Sequence, residues 1–177
     1  MSPSCLEHLR REHREVEAVL TELKSLLEAG KAAPLPPPEA SPAFEQVIQR
    51  FTDLVMPHLR KEDEILFPAL EEFLPREKGP LAVLRSELSS LREYFRSMRD
   101  AGDALFAANA SPELAKGFQR SGRATLQGLR DHIYKQDRIL FPLVARFLWP
   151  ELDARLLRQM EAMDAGGSIP LPPKQQK

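Results

Sequence analysis

Three of the four histidines in this 177-residue chain, together with one glutamate, stand where a helical pattern asks for apolar side chains. His13, His58, Glu62 and His132 interrupt stripes of Leu, Val, Ile and Phe that recur every three or four residues. His58 and Glu62 are one turn apart on the same helical face. A carboxylate taken out of water without a partner costs several kcal/mol or takes up a proton. Two arrangements relieve that cost. One is a hydrogen-bonded His58–Glu62 pair, with His13 and His132 as satisfied core histidines. The other brings imidazoles and a carboxylate from facing helices onto one cation, the chemistry of metal-binding bundles.

The elements that must carry these residues are legible as four stripes. The first reads Leu6, Leu9, His13, Val16, Leu20, Leu23, Leu27, and the second Phe44, Val47, Phe51, Leu54, His58, Glu62, Ile65, Ala69, Phe73. The third reads Leu81, Leu84, Leu88, Leu91, Phe95, Met98, Leu105, and the fourth Phe118, Thr125, Leu129, His132, Gln136, Leu140, Leu143, Phe147. Each is one face of an amphipathic helix, and no period-two alternation points to a strand. Gly30 is expected to end the first helix. Pro75 with Gly79-Pro80 separates the second from the third, and Ser111-Pro112-Glu113 reads as the cap that opens the fourth. A short fifth helix is expected from Leu152 to Met163. The expected fold is all-α: an up-down-up-down four-helix bundle over residues 1–164, with a proline-rich connector at 31–42 and a disordered tail at 165–177.

The chain also repeats itself. His58-Leu-Arg-Lys-Glu62-Asp63-Glu-Ile-Leu66-Phe67-Pro68 matches His132-Ile-Tyr-Lys-Gln136-Asp137-Arg-Ile-Leu140-Phe141-Pro142, and more weakly Leu9-Arg-Arg-Glu12-His13 matches Leu84-Arg-Ser-Glu87-Leu88. The first helix pair therefore parallels the second, which implies a pseudo-twofold bundle. The Glu-His opening, the His-x-x-x-Glu element followed by Leu-Phe-Pro, and the second copy together resemble the hemerythrin-like (HHE cation-binding) family over roughly residues 6–160. That resemblance implies a centre of two non-haem irons between four helices, binding oxygen, nitric oxide or peroxides, or serving iron handling and redox sensing. It also implies His13, His58 and Glu62 as ligands from the first pair, Glu62 as a bridge, and His132 as a ligand from the second. Two positions depart from the family pattern: Leu88 replaces a histidine and Gln136 replaces the second bridging carboxylate. Leucine cannot coordinate, and glutamine offers a neutral carbonyl oxygen in place of a charged bridge. One ion is therefore expected rather than two. Iron comes first, with zinc or manganese as options, and metal-free chain remains as a further option.

Other residues carry weaker readings. His8, five positions before His13, is rotated off that face and is expected in solvent. Asp63 and Asp137 are expected as solvated helix charges, with acceptance from histidine ring N–H groups as the alternative. Tyr134 points away from His132. Pro57, Pro68 and Pro142 fall inside helical patterns and should kink or locally break them. Cys5 has no His or Asp partner in sequence and is no candidate nucleophile.

Composition bounds the rest. The chain is 42% hydrophobic and 29% charged with a net charge of −1, enough for one domain with a sizeable core and without the charge of a nucleic-acid binder. No apolar run spans a bilayer, the first residues show no signal region, and a lone cysteine permits no intrachain disulfide. A cytoplasmic, non-membrane protein that takes a metal ion, and with it a diatomic gas or peroxide, is the expectation, more sensor or iron handler than enzyme. The alternatives are a metal-free interaction or regulatory bundle and a mononuclear iron enzyme.

Overall fold

Every stripe becomes a helix in the computed structural model, which describes residues 4–32, 41–106 and 110–166. The first rod is α1 (Cys5–Ala32). The second is continuous but compound: α2 (Ser41–Arg50), a π turn at Phe51–Val55, α3 (Met56–Lys61), a second π turn at Glu62–Leu66, and α4 (Phe67–Leu70). The third rod is α5 (Gly79–Phe106). The fourth joins α6 (Pro112–Lys135) to α7 (Phe141–Val144) through a π turn at Gln136–Leu140, and α8 (Pro150–Asp164) follows. No strand occurs among the described residues.

The pairing of residues fixes the topology. Glu12 meets His58 while Glu22 meets Arg50, so numbering falls along the second rod as it rises along the first. The same inversion relates His13–Gln136 to Leu27–Gln119, and Phe44–Phe106 to Asp63–Arg92. Adjacent rods are antiparallel around a ring, an up-down-up-down bundle. Of the stripe residues, Leu54, Phe73 and Leu143 are only half-buried, because the wide turns shift the buried face. Leu9, Leu20, Leu23, Phe51, Met98 and Leu140 are fully buried, and so are Leu66, Phe67 and Phe141, which the stripes did not include. Each such side chain contributes about 1.5–3 kcal/mol of transfer free energy.

The prolines act by widening rather than breaking. Each π turn is followed by one ordinary residue and then a proline: Met56-Pro57, Phe67-Pro68 and Phe141-Pro142. The N–H groups of Met56, Phe67 and Phe141 reach back five residues, to the carbonyls of Phe51, Glu62 and Gln136. A proline ring collides with the carbonyl four residues earlier in an α-helix, and in all three cases that carbonyl lies mid-way along the wide turn, where the spacing is no longer that of an α-helix. The helix therefore runs on through each proline.

Several boundaries differ from expectation. Gly30 does not end α1, which continues to Ala32. A Cβ at Gly30 would lie 2.6 Å from the Gln119 amide nitrogen, so glycine here makes room for Gln119 to donate to the Leu27 carbonyl at 2.8 Å. The connector correspondingly starts after Ala32 and α2 opens at Ser41. Its proline-rich centre, 33–40, and the tail from 167 lie outside the described residues. Phe147 is not on the buried face of the fourth rod. The α-helix stops at Val144, and Phe147, 40% exposed, stacks on Phe73 at 6.1 Å. Ser111 caps α6 as expected, its hydroxyl oxygen accepting from the Leu114 N–H at 3.3 Å. The fifth helix, α8, spans two residues more at its N-terminal end than expected and one more at its C-terminal end.

Candidate metal centre

His13 sits on α1, His58 on α3, Glu62 at the start of the second π turn, and His132 at the end of α6. All four are buried. Because helical spacing places them at one depth, they meet. His58 Nε2 lies 2.7 Å from Glu62 Oε1, and His132 Nε2 lies 2.8 Å from Glu62 Oε2. The ring of His13 meets that of His58 edge to face at 4.9 Å, and its Nε2 lies 2.9 Å from Gln136 Oε1. Ligand atoms of His13, His58 and Glu62 lie within 4.8 Å of one another.

Each of the three imidazoles is held from behind by a carboxylate. His13 Nδ1 donates to Asp137 at 3.0 Å, His58 Nδ1 to Glu12 at 2.8 Å, and His132 Nδ1 to Glu87 at 3.0 Å. This backing fixes the proton on Nδ1 and turns Nε2 inward as a lone pair. What each Nε2 then faces is an acceptor: two carboxylate oxygens of Glu62 and the carbonyl oxygen of Gln136. Neutral imidazoles would set lone pair against lone pair. Either the rings take up second protons or a cation stands among them. His58 Nε2 and Glu62 Oε1 are buried and, despite their proximity, have no hydrogen-bond partner.

The charges tell the same story. Glu12 is paired with Lys61, Glu87 with Lys135, and Asp137 with Arg10 at 3.7 Å. Glu62, fully buried, has no lysine or arginine partner among the described residues. Burial alone would raise its pKa, yet the facing His132 and His58 hold it well below the usual carboxylate range. Burial works against a charged His58 too, but Glu62 and Glu12 outweigh it and push its pKa up to about 9. His132 is raised by Glu62 and Glu87 against the same burial penalty. The centre of the bundle therefore demands positive charge.

The repeat is visible in three dimensions. His58, Glu12 and Lys61 have as counterparts His132, Glu87 and Lys135, with the same contacts. Asp137 receives the ring N–H of His13; its counterpart Asp63 would serve residue 88, but Leu88 has nothing to donate, and Asp63 pairs with Arg92 at 2.9 Å. Gln136, the counterpart of Glu62, is fully buried and its amide nitrogen has no hydrogen-bond partner.

Two expectations are corrected here. Asp137 and Asp63 are both partly exposed, and neither is a free helix charge: Asp137 backs His13, while Asp63 pairs with Arg92. His8 is not in solvent: it is 5% exposed, because α8 packs over its side of α1 and brings Asp164 within 3.1 Å of its Nε2. Tyr134 is 63% exposed and takes no part. Cys5 is buried, and its thiol is pushed far up by desolvation and by the neighbouring Asp153. The backing residues Glu12, Glu87, Lys61 and Lys135 were not singled out from sequence, although all four occupy matched places in the two repeats.

A helical bundle with imidazoles and a carboxylate converging at its centre defines a class, the bundles built around an internal metal centre. The hemerythrin HHE cation-binding domain matches residues 5–144, and the chain belongs to that family. A comparison with curated proteins finds no match. Among the described residues no helix is long and apolar enough to cross a membrane.

Proposed function

We propose that the chain holds a single divalent cation, iron first, through His13, His58 and Glu62, with His132 as a fourth donor across Glu62. Three inward-facing Nε2 atoms opposed by oxygen acceptors carry this reading. A cation held by His13, His58 and Glu62 removes the conflict between His58 Nε2 and Glu62 Oε1 and neutralises Glu62, the carboxylate of the centre that has no lysine or arginine partner among the described residues. Two imidazoles and one carboxylate suit iron(II), manganese or zinc, and leave coordination positions free. Leu88 and Gln136 withhold the donors of a second ion, so one equivalent is the stoichiometry this residue set supports.

When bound, such an ion supplies a place for a small exogenous ligand, a diatomic gas or a peroxide. The chain's own part is to hold three rings in fixed orientation, keep Glu62 charged, and exclude bulk water, with Phe141 stacked on His13 at 5.6 Å and all four polar residues buried. The physiological role that fits is oxidant or gas sensing, or iron handling. Iron reconstitution under anaerobic conditions, followed by metal quantification, tests it: one ion per chain is expected. Two per chain with an oxo-bridge absorption would overturn the single-ion reading, and none would overturn the metal reading.

A metal-free regulatory bundle is the second reading, and one observation favours it. With His58 raised to about 9, an imidazolium beside Glu62 neutralises that carboxylate without an ion. That reading expects no change in melting temperature on addition of chelator.

A further inference from the structure

The two halves of the repeat are alike in their contacts and unlike in their burial. Lys61 pairs with Glu12 behind His58, and Lys135 pairs with Glu87 behind His132. Yet the side chain of Lys61 is 2% exposed and that of Lys135 is 36% exposed. The difference has one visible source. The C-terminal helix α8, which lies beyond the part of the chain matched to the family, packs on α1, on α3 and on the π turn at Glu62. Its last residue, Asp164, takes a second ion pair from Lys61 and approaches His8 Nε2 at 3.1 Å. His8 in turn lies 3.1 Å from Glu12 and accepts from Arg11 at its Nδ1. No counterpart of Asp164 pairs with Lys135 among the described residues.

We infer that Asp164 is a positioning residue: through Lys61 and His8 it clamps Glu12, and through Glu12 it fixes the ring of His58, so that α8 tightens one half of the centre and leaves the other loose. This rests on the metal reading only where metal release is measured; the positioning itself concerns the ring of His58. The chemistry supports a clamp rather than a second cation site. Lys61 already places an ammonium between Glu12 and Asp164. The guanidinium of Arg11 donates to His8 Nδ1, which leaves His8 Nε2 bearing the proton and unable to ligate. A partly open cavity of about 200 Å³, lined by His8, Glu12, Pro57, Lys61 and Asp164, adjoins the cluster. His58 does not line this cavity, but Glu12, which holds its Nδ1 proton, does.

The test uses the full chain with histidine ring nitrogens labelled, comparing wild type, Asp164→Asn, Asp164→Glu and Asp153→Ala. Asp153 accepts the Cys5 backbone N–H at 2.9 Å and anchors the same helix at a different place. In metal-free protein the His58 Nδ1 proton is expected to exchange with water at least about tenfold faster in Asp164→Asn. In iron-loaded protein a chelator should extract the ion about tenfold faster, the lower end of what loss of a backing interaction does to a metal site. Asp164→Glu should restore both. Unchanged ring-proton exchange in Asp164→Asn overturns the inference, and so does an equal effect from Asp153→Ala, which would mean that docking of α8 matters and the clamp does not. Wild-type chain that takes up no iron overturns the metal reading instead, and the ring-proton comparison then decides the positioning alone.

Discussion

Leu88 and Gln136 mark where the second half of the centre departs from the first, and their neighbours still fit the missing donors. Asp63 stands where it would back a ring at position 88, and Gln136 already occupies the place equivalent to Glu62. Leu88→His together with Gln136→Glu is expected to raise iron uptake from one toward two per chain, read by metal quantification on folded protein. A folded double variant with no gain would show that helix spacing, and not donor identity, sets the limit. Cys5 makes a separate prediction. Its thiol is raised well above the ordinary 9.0 by burial, so it should not react with a disulfide reagent at neutral pH until the chain is unfolded in denaturant. The sign for stability follows. Below pH 9.0 the thiol is neutral folded or unfolded; above it only the unfolded chain ionises, so stability should fall as pH rises past that value. The buried polar set His13, His58, Glu62 and His132 was readable because polar residues on an apolar stripe violate a simple rule. His8 was not, because its burial depends on α8, whose docking face has no local signature.

At the scale of elements, close approach between rods is the feature most open to test. Gly102 on α5 faces the ring of Phe44, where a Cβ would lie 2.2 Å from the ring edge. Phe44 cannot yield easily, since it stacks on Phe106 at 5.0 Å and meets Phe118 edge on at 5.6 Å. Gly102→Ala gains about 1 kcal/mol of helix propensity and loses about 1–3 kcal/mol to overpacking. Net destabilisation of about 1 kcal/mol is expected in urea unfolding, an outcome opposite to the usual Gly→Ala gain in a helix. The helices themselves were legible from three- and four-residue spacing. What spacing did not disclose was how Pro57, Pro68 and Pro142 are absorbed. A missing N–H and a ring clash announce a disturbance, but whether it becomes a kink, a break or a wide turn depends on what the flanking residues bury. Here Phe51, Leu66 and Leu140 within the wide turns, and Phe67 and Phe141 directly after them, are fully buried. Continuing the helix keeps them packed.

The whole molecule couples its centre to its stability. A native-state ligand at about 1,000 times its Kd adds about 4 kcal/mol. For a chain of this size that corresponds to a melting temperature higher by roughly 10 °C. Iron-loaded protein should therefore melt above the same protein treated with chelator, measured by calorimetry at neutral pH; equal melting temperatures would favour the metal-free reading. His58 and His132, both raised by the facing carboxylates, must shed their second protons to ligate, so the advantage should shrink as pH is lowered. The bundle was foreseeable because four stripes with short links have few other ways to bury themselves. The unequal burial of Lys61 and Lys135 was not, since the repeat suggests equivalence at that pair and the packing of α8 breaks it.

The wide turns have a last consequence, for length variation in the chain. Each carries one residue more than an α-helix would need over the same rise, a slack link in an otherwise taut rod. Dropping the exposed Arg138 from 136–140 would let the rod close up with both flanks still in phase, at a cost of about 3 kcal/mol for Pro142 inside an ordinary helix. The same loss within 122–132 would turn everything beyond it by about 100° and swing His132 away from Gln136 and Phe141. Shortening by one residue should thus be survivable at these three places and ruinous between them.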